Sequence, residues 1–197
     1  TSSGSSIIQL DGTVNGNVLI STGTVLTGTG EGVLGISTTG PINGSLTNDG
    51  KVQLLGNVVA AGKTSKGTRP ESGSALVVSN NITGGIINAG PDTTSSATQV
   101  AVLSSSGVTA PVVVIQSPFG PVTIGASSDA DSGHASFVNR GSIVAQPLNA
   151  NNSSTAVLIV GSSSNPVMLS GGIFDAGIIS SVASSSAASN ATNVLAT

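Results

Sequence analysis

The sequence predicts an all-β chain wound as a parallel β-solenoid of irregular coils, and three observations carry that prediction. A short phrase recurs, made of an apolar residue, a spacer, Asn (or Ser or Asp), a spacer and Gly. It reads Leu19-Ile20-Ser21-Thr22-Gly23, Leu46-Thr47-Asn48-Asp49-Gly50, Ile86-Ile87-Asn88-Ala89-Gly90, Phe137-Val138-Asn139-Arg140-Gly141 and Ile173-Phe174-Asp175-Ala176-Gly177. Apolar clusters of three to five residues, rich in Val, Ile and Leu, are mostly bounded by Gly, Asn, Ser and Pro. No long stretch has a 3.6-residue apolar period, so these clusters read as strands. Finally, Gly84-Gly85-Ile86-Ile87-Asn88-Ala89-Gly90 closely matches Gly171-Gly172-Ile173-Phe174-Asp175-Ala176-Gly177, and two matched blocks are harder to obtain by chance than isolated glycines.

In chain order the strand clusters are Val18–Ile20, Val58–Ala61, Ala75–Val78, Val100–Leu103, Val112–Ile115, Ala156–Val160 and Val167–Leu169. The glycines that close the phrase are separated by 27, 40, 51 and 36 residues. Against a coil of about 20 residues, the intervals of 36 and 40 read as two coils each. The interval of 51 reads as two coils plus an insertion, and that of 27 as one coil with a long turn. In four copies an apolar residue follows two places after the Gly: Val25, Val52, Ile143 and Ile179. The shared offset places Leu46, Ile86, Phe137 and Ile173 in the core at equivalent points of their coils. The whole chain, residues 1–197, is read as one solenoid domain. Lys63–Ser72, polar and mostly basic, reads as a loop insertion, and residues 180–197, dominated by Ser and Ala, as a weak final coil or a linker. Ser117-Pro118-Phe119-Gly120-Pro121 is a turn whose two prolines bracket a Phe that is either exposed at the tip or tucked beneath it.

The turn residues have a local physical reason. Gly adopts positive φ without steric strain and Asn tolerates it better than most residues, so both let a strand turn sharply. Asn side chains on stacked turns also have the geometry to hydrogen-bond along the axis, as in cross-β stacks. Asn48, Asn88, Asn139 and Asp175 are therefore read as turn-formers rather than ligands.

Composition narrows the function classes. Charged residues are 7% and aromatics 2% of the chain, while the hydrophobic fraction is 38%; disordered chains combine low hydrophobicity with high charge, so a packed fold is expected. A net charge of −3 with five basic residues argues against nucleic acid, whose affinity rests on cations neutralising phosphates. There is no Cys, which removes disulfides and thiolate metal sites. No apolar run approaches the roughly 20 residues needed to span a bilayer. The chain opens at Thr1 without a basic-then-apolar leader, which reads as a removed signal, no signal used, or an excerpt, with the start at Thr rather than Met favouring removal or excerpting.

Asp129-Ala130-Asp131-Ser132-Gly133-His134 is the densest chemical cluster, joining two carboxylates to the only His. On a strand Asp129 and Asp131 would share a face, and oxygen ligands of this kind suit Ca²⁺. Against an EF-hand, Arg140 stands where a bidentate Glu is required, and Gly falls at the fifth position rather than the sixth. The cluster reads as a solvated turn, with no metal or cofactor expected. With Arg140 it is also the only set that could serve a glycoside hydrolase, which needs paired carboxyl groups. Tyr and Trp are absent, and Asp11, Glu31, Asp49, Glu71, Asp92 and Asp175 are scattered singly. No catalytic residue is expected. Gly28-Thr29-Gly30-Glu31-Gly32 superficially matches a phosphate cradle but has neither a following helix nor a Lys, and reads as a flexible turn.

The phrases GGIINAG, GGIFDAG and FVNRGSI, set among short strands of Ala, Val and Ile, resemble the repeats of bacterial autotransporter-type passenger domains and related β-solenoid adhesins. The resemblance covers about two thirds of the chain, from Leu46 to Ile179. It implies a secreted, right-handed parallel β-helix at the cell surface, acting as stalk, adhesin or surface layer. The translocating barrel of a whole autotransporter is not among these residues, which implies a passenger fragment or another secretion route. The expected function is an extracellular structural or adhesive solenoid, non-catalytic, meeting host, cell-surface or polysaccharide partners. The alternative is a subunit that polymerises into a filament through the open solenoid ends, by Ile7–Leu10 and by Ile178–Val182 or Val194–Leu195. A polysaccharide-acting β-helix enzyme is the least expected.

Overall fold

The computed structural model describes residues 5–30, 32–56, 73–90, 100–108, 110–147, 152–182 and 192–196. They form a parallel β-solenoid. Coil 1 holds β1 (Ser6–Leu10), β2 (Val14–Asn15), β3 (Val18–Ile20) and β4 (Val25–Thr29); coil 2 holds β5 (Leu34–Thr38), β6 (Ile42–Asn43), β7 (Leu46–Asn48) and β8 (Lys51–Leu55). Coil 3 has β9 (Leu76–Val78), a single bridging residue at Ile82, β10 (Ile86–Asn88) and β11 (Val102–Val108). Coil 4 has β12 (Val113–Gln116), β13 (Val122–Ile124), a 3₁₀ turn at Ala130–Ser132, β14 (Phe137–Asn139) and β15 (Ser142–Pro147). Coil 5 has β16 (Thr155–Val160), β17 (Val167–Leu169), β18 (Ile173–Asp175) and β19 (Ile178–Ser181), and β20 (Thr192–Ala196) pairs with β16 to open a sixth.

Equivalent strands stack in parallel sheets, β1-β5-β9-β12-β16-β20, β3-β7-β10-β14-β18 and β4-β8-β11-β15-β19. A fourth, broken row runs through β2-β6, Ile82 and β13-β17. The columns inside are nearly pure aliphatic. Leu46, Ile86 and Phe137 lie one above another and are at most 2% exposed. Val52, Leu103 and Ile143 do the same, as do Ile42, Ile82 and Ile124. Burying each such side chain contributes about 1.5–3 kcal/mol, and repetition from coil to coil lets similar shapes interlock.

Several expectations need correction. Each interval of the repeat is a single coil: stacked partners lie 28 residues apart in coils 1 and 2, then 40, 51 and 36. Strand registers are held by the ladder and the core, whereas corners tolerate extra residues, so coil length varies at the corners. The expected core residue Ile173 sits in register with Phe137 but is 46% exposed, because its sheet ends at β18. In the first copy of the phrase, Val18 rather than Leu19 stacks on Leu46, and Leu19 faces outward. The corner after β3 is longer than that after β7, which shifts the pattern; Leu26, not Val25, therefore joins the Val52 column.

Glycine at the end of the phrase also has a different reason. Gly50, Gly90, Gly141 and Gly177 do not have positive φ; among the repeat glycines only Gly23 does. A Cβ on Gly141 would stand 2.3 Å from the Ala101 carbonyl oxygen, and one on Gly177 would stand 2.2 Å from that of Gly141. These glycines let backbones of adjacent coils approach. Positive φ belongs instead to Gly85 and Gly172, the second glycine of each matched block. The predicted loop at Lys63–Ser72 and the strand cluster Val58–Ala61 lie outside the described residues. Of residues 180–197, Ser180 and Ser181 end β19, and Thr192–Ala196 forms β20, which pairs with β16.

Candidate functional surface

At the corner between the β7 row and the β8 row, one side chain per coil points along the axis. Asn48 Nδ2 donates to Asn88 Oδ1 (2.9 Å), Asn88 Nδ2 to Asn139 Oδ1 (2.7 Å) and Asn139 Nδ2 to Asp175 Oδ1 (2.7 Å). Each amide also reaches a main-chain carbonyl of the next coil: Val102, Ser142 and Ile178 in turn. The residues read as turn-formers in fact end strands β7, β10, β14 and β18 without positive φ, and it is their side chains that form the expected ladder. It has a direction, with every amide donating toward coil 5. It starts above Ile20, which stacks on Asn48 and has nothing to donate, so Asn48 Oδ1 is buried without a partner. It ends on the exposed Asp175, a carboxylate that accepts from Asn139 and from the Gly177 N–H (3.2 Å).

The cluster read as the best chemical candidate is structural. Asp129 and Asp131 do not share a strand face, because the segment forms a 3₁₀ turn in which Asp129 is the N-cap and accepts from Ser132 N–H (3.2 Å). Arg140 grips the Asp129 carboxylate with both terminal nitrogens, Nη1 to Oδ2 and Nη2 to Oδ1, and lies over the Phe174 ring at 5.0 Å. One guanidinium therefore ties the 125–135 insertion of coil 4 to coil 5, combining an ion pair with a cation–π contact. His134 has φ +62° beside the left-handed Gly133, and its Nδ1 lies 3.0 Å from the Ser127 carbonyl. Asp131 is exposed. Among the described residues, no group of three or more His, Asp or Glu is arranged to hold a metal ion.

The isolated carboxylates serve the coil stack. Asp49 accepts from Thr22, and Asp11 accepts from Thr39 Oγ1 (2.6 Å) and Gln9 Nε2 (2.9 Å). The Thr39 hydroxyl and then Gln9 hold the Asp11 carboxyl below its ordinary pKa. Glu31, Glu71 and Asp92 lie outside the described residues. Gly28 is no phosphate cradle: a Cβ there would collide with Val33 and Leu54 side chains, so the residue faces the packed interior of β4.

A second corner, between the first strand row and the broken row, changes along the axis. In coils 1, 2 and 3 three residues close it, 11–13, 39–41 and 79–81. In coils 4 and 5 the stacked positions Ile115 and Ile159 are joined to Ile124 and Leu169 by eight and nine residues. The two enlarged turns are tied together: Ser117 Oγ donates to the Asn165 carbonyl, and Val122 N–H donates to that of Pro166 (3.0 Å). The second turn is closed internally by Ser162 N–H to Asn165 O (2.8 Å) and Asn165 N–H to Ser162 Oγ (3.0 Å). Phe119 stands at the tip of the first, 85% exposed, which resolves its two expected placements. Between the turns lies a shallow hollow of about 170 Å³ lined by Gln116, Ser117, Pro118, Val160, Gly161 and Ser162. The sequence points to both turns, through Pro118 and Pro121 in the first and Gly161, Asn165 and Pro166 in the second, but not to their lying side by side.

No family model, no curated protein and no solved structure matches this chain.

Proposed function

We propose that the chain is a non-catalytic structural or adhesive β-solenoid of a bacterial cell surface, of the autotransporter-passenger or adhesin type. The observation that supports this best is where the reactive side chains are engaged. Asn48, Asn88, Asn139 and Asp175 lock coil to coil, and Asp129 with Arg140 fastens an insertion. The mechanism is mechanical: main-chain ladders run along the axis, aliphatic columns fill the interior, and a polar, nearly uncharged exterior meets other surfaces. The phrases GGIINAG, GGIFDAG and FVNRGSI add the resemblance to surface solenoids. Immunoelectron microscopy of native cells tests the reading; label on cell-bound stalks or a surface layer is expected, and label confined to the cytoplasm would overturn it.

The second reading is a filament subunit, favoured by exposed Met168, Ile173 and Ile178 on coil 5. Stacking coil 1 of another copy on coil 5 in ladder register sets the Asp175 carboxylate against Ile20, which provides no donor. Asp175 Oδ1 keeps its bonds to Asn139 and Gly177, but burying the carboxylate charge with neither a cation nor a donor from the added coil is costly, so simple head-to-tail addition is the weaker of the two. Sedimentation of the 197-residue chain at micromolar concentration separates them, a stable monomer being the expected result.

A further inference from the structure

We propose that the enlarged corner of coils 4 and 5 is a binding site for a neutral glycan, with the Phe119 ring as the platform and the hollow between Ser117 and Ser162 as the adjoining subsite. This inference rests on the adhesive reading and names the partner of that surface.

Three observations carry it. The corner is enlarged in two successive coils, although three residues suffice to turn it in coils 1 to 3. The insertions are also ordered by bonds to each other, Ser117 to Asn165 and Val122 to Pro166, while Gln116 Nε2 is anchored on Ser79 Oγ (3.0 Å). A hollow held open in this way is preformed, which lowers the entropic cost of binding. Finally, Phe119 is one of three aromatic residues in the chain and carries its ring almost wholly in solvent between two prolines. Such a side chain does not contribute to the core, and its ring face is open to a partner.

The chemistry of the occupant follows from the lining. Residues 116–124 and 160–169 contain no Asp, Glu, Lys, Arg or His, so the corner offers no charge complementarity to an anionic or cationic ligand. What it offers is an apolar ring and Pro118, flanked by the exposed Ser162 and the Gln116 carbonyl oxygen, while Ser117 Oγ and Gln116 Nε2 are engaged in holding the turns. A neutral sugar presents the matching pair, a C–H face and hydroxyls at its rim. Nucleic acid needs cations that are lacking here. A peptide recognised by strand addition needs a free sheet edge; β12 and β16 are each paired on both sides, and β17, paired with β13 alone among the described residues, has its open edge on the side away from the hollow between the turns.

The three phenylalanines make a direct test available. In chain labelled with 4-fluorophenylalanine, ¹⁹F NMR resolves Phe119, Phe137 and Phe174, and the resonances are followed during titration with neutral gluco-, manno- and galacto-oligosaccharides, heparin fragments and phosphatidylcholine vesicles. The expected result is a saturable shift of Phe119 alone with at least one neutral oligosaccharide. Phe119→Ala is then expected to weaken binding about tenfold or more, near 1.4 kcal/mol, measured by calorimetry, with the melting temperature unchanged. A response to vesicles or heparin but to no neutral sugar, no response of Phe119 at all, or binding undiminished in Phe119→Ala would each overturn the inference. If Phe119→Ala chain still coats and retains cells as well as the wild type does, the glycan site falls while the adhesive reading stands; if neither chain adheres, the adhesive reading falls with it.

Discussion

The two corners of the solenoid follow opposite rules. The Asn48–Asn88–Asn139–Asp175 corner keeps Asn through coils 2 to 4 and one bonding direction into Asp175 of coil 5, with side-chain bonds of 2.7–2.9 Å. The Phe119 corner is short in three coils and long in two, with its largest side chain in water. The difference shows where a coil stack is constrained. Where a polar side chain is buried it needs a partner on the next coil, so its identity is fixed; where a turn faces solvent, length and chemistry are free to vary and so to serve contact.

Substitution at the ladder should have the largest effect. Asn88 accepts from Asn48 and donates to Asn139 and to the Ser142 carbonyl, so Asn88→Leu leaves buried groups on both neighbours unpaired. Destabilisation of about 3–5 kcal/mol is expected by denaturant titration; a loss under about 1 kcal/mol would show that the ladder is incidental. Glycine sharpens the contrast. Gly141→Ala drives a Cβ into the Ala101 carbonyl and is expected to cost about 2–3 kcal/mol. Gly120→Ala, in the Phe119 turn with open space around it, should stay within about 0.5 kcal/mol. Equal costs would erase the distinction between the corners.

Removing the Arg140 clamp is expected to be milder. Arg140→Ala deletes a partly buried ion pair and a ring contact, and a loss of about 1–2 kcal/mol should appear in thermal unfolding. The added signature is faster amide exchange in residues 125–135 than in β14, and uniform exchange would count against the clamp. The smallest effect belongs to Asp11. Its pKa is depressed in the fold, so the stability it contributes is present above the unfolded pKa and is lost as pH falls through the folded one. Thr39→Ala removes the main cause. NMR titration should then show the Asp11 pKa rising toward its ordinary value, and an unchanged titration would remove Thr39 from the account.

Legibility in the sequence divides along the same line. Strands and ladder were readable because β-branched clusters and the Asn-x-Gly phrase are local signals, and the offsets of Leu46, Ile86 and Phe137 were enough to place them in one column. The number of coils was not, because segments of 2 to 20 residues between strands leave no period to count. Nor was the role of Gly141 and Gly177, whose reason is a neighbouring coil's carbonyl rather than their own φ. Asp129 and Asp131 were readable as part of a turn, but spacing alone cannot reveal that Asp129 caps it and pairs with Arg140. Phe119 was visible as a turn residue, but its exposure was not, and the second turn, at 161–166, is brought beside the first only by stacking.

The central claim is that each interval of the repeat is one coil, with the asparagines in contact through the axis. Side-chain amide NOEs in ¹⁵N-edited spectra test it most directly. Cross-peaks joining the Nδ2 protons of Asn48 to those of Asn88, and of Asn88 to those of Asn139, across 40 and 51 residues of sequence, are the predicted result. Assigned, well-resolved amides that show neither contact would contradict the account, since a second coil inserted in each interval would hold those groups about 9–10 Å apart.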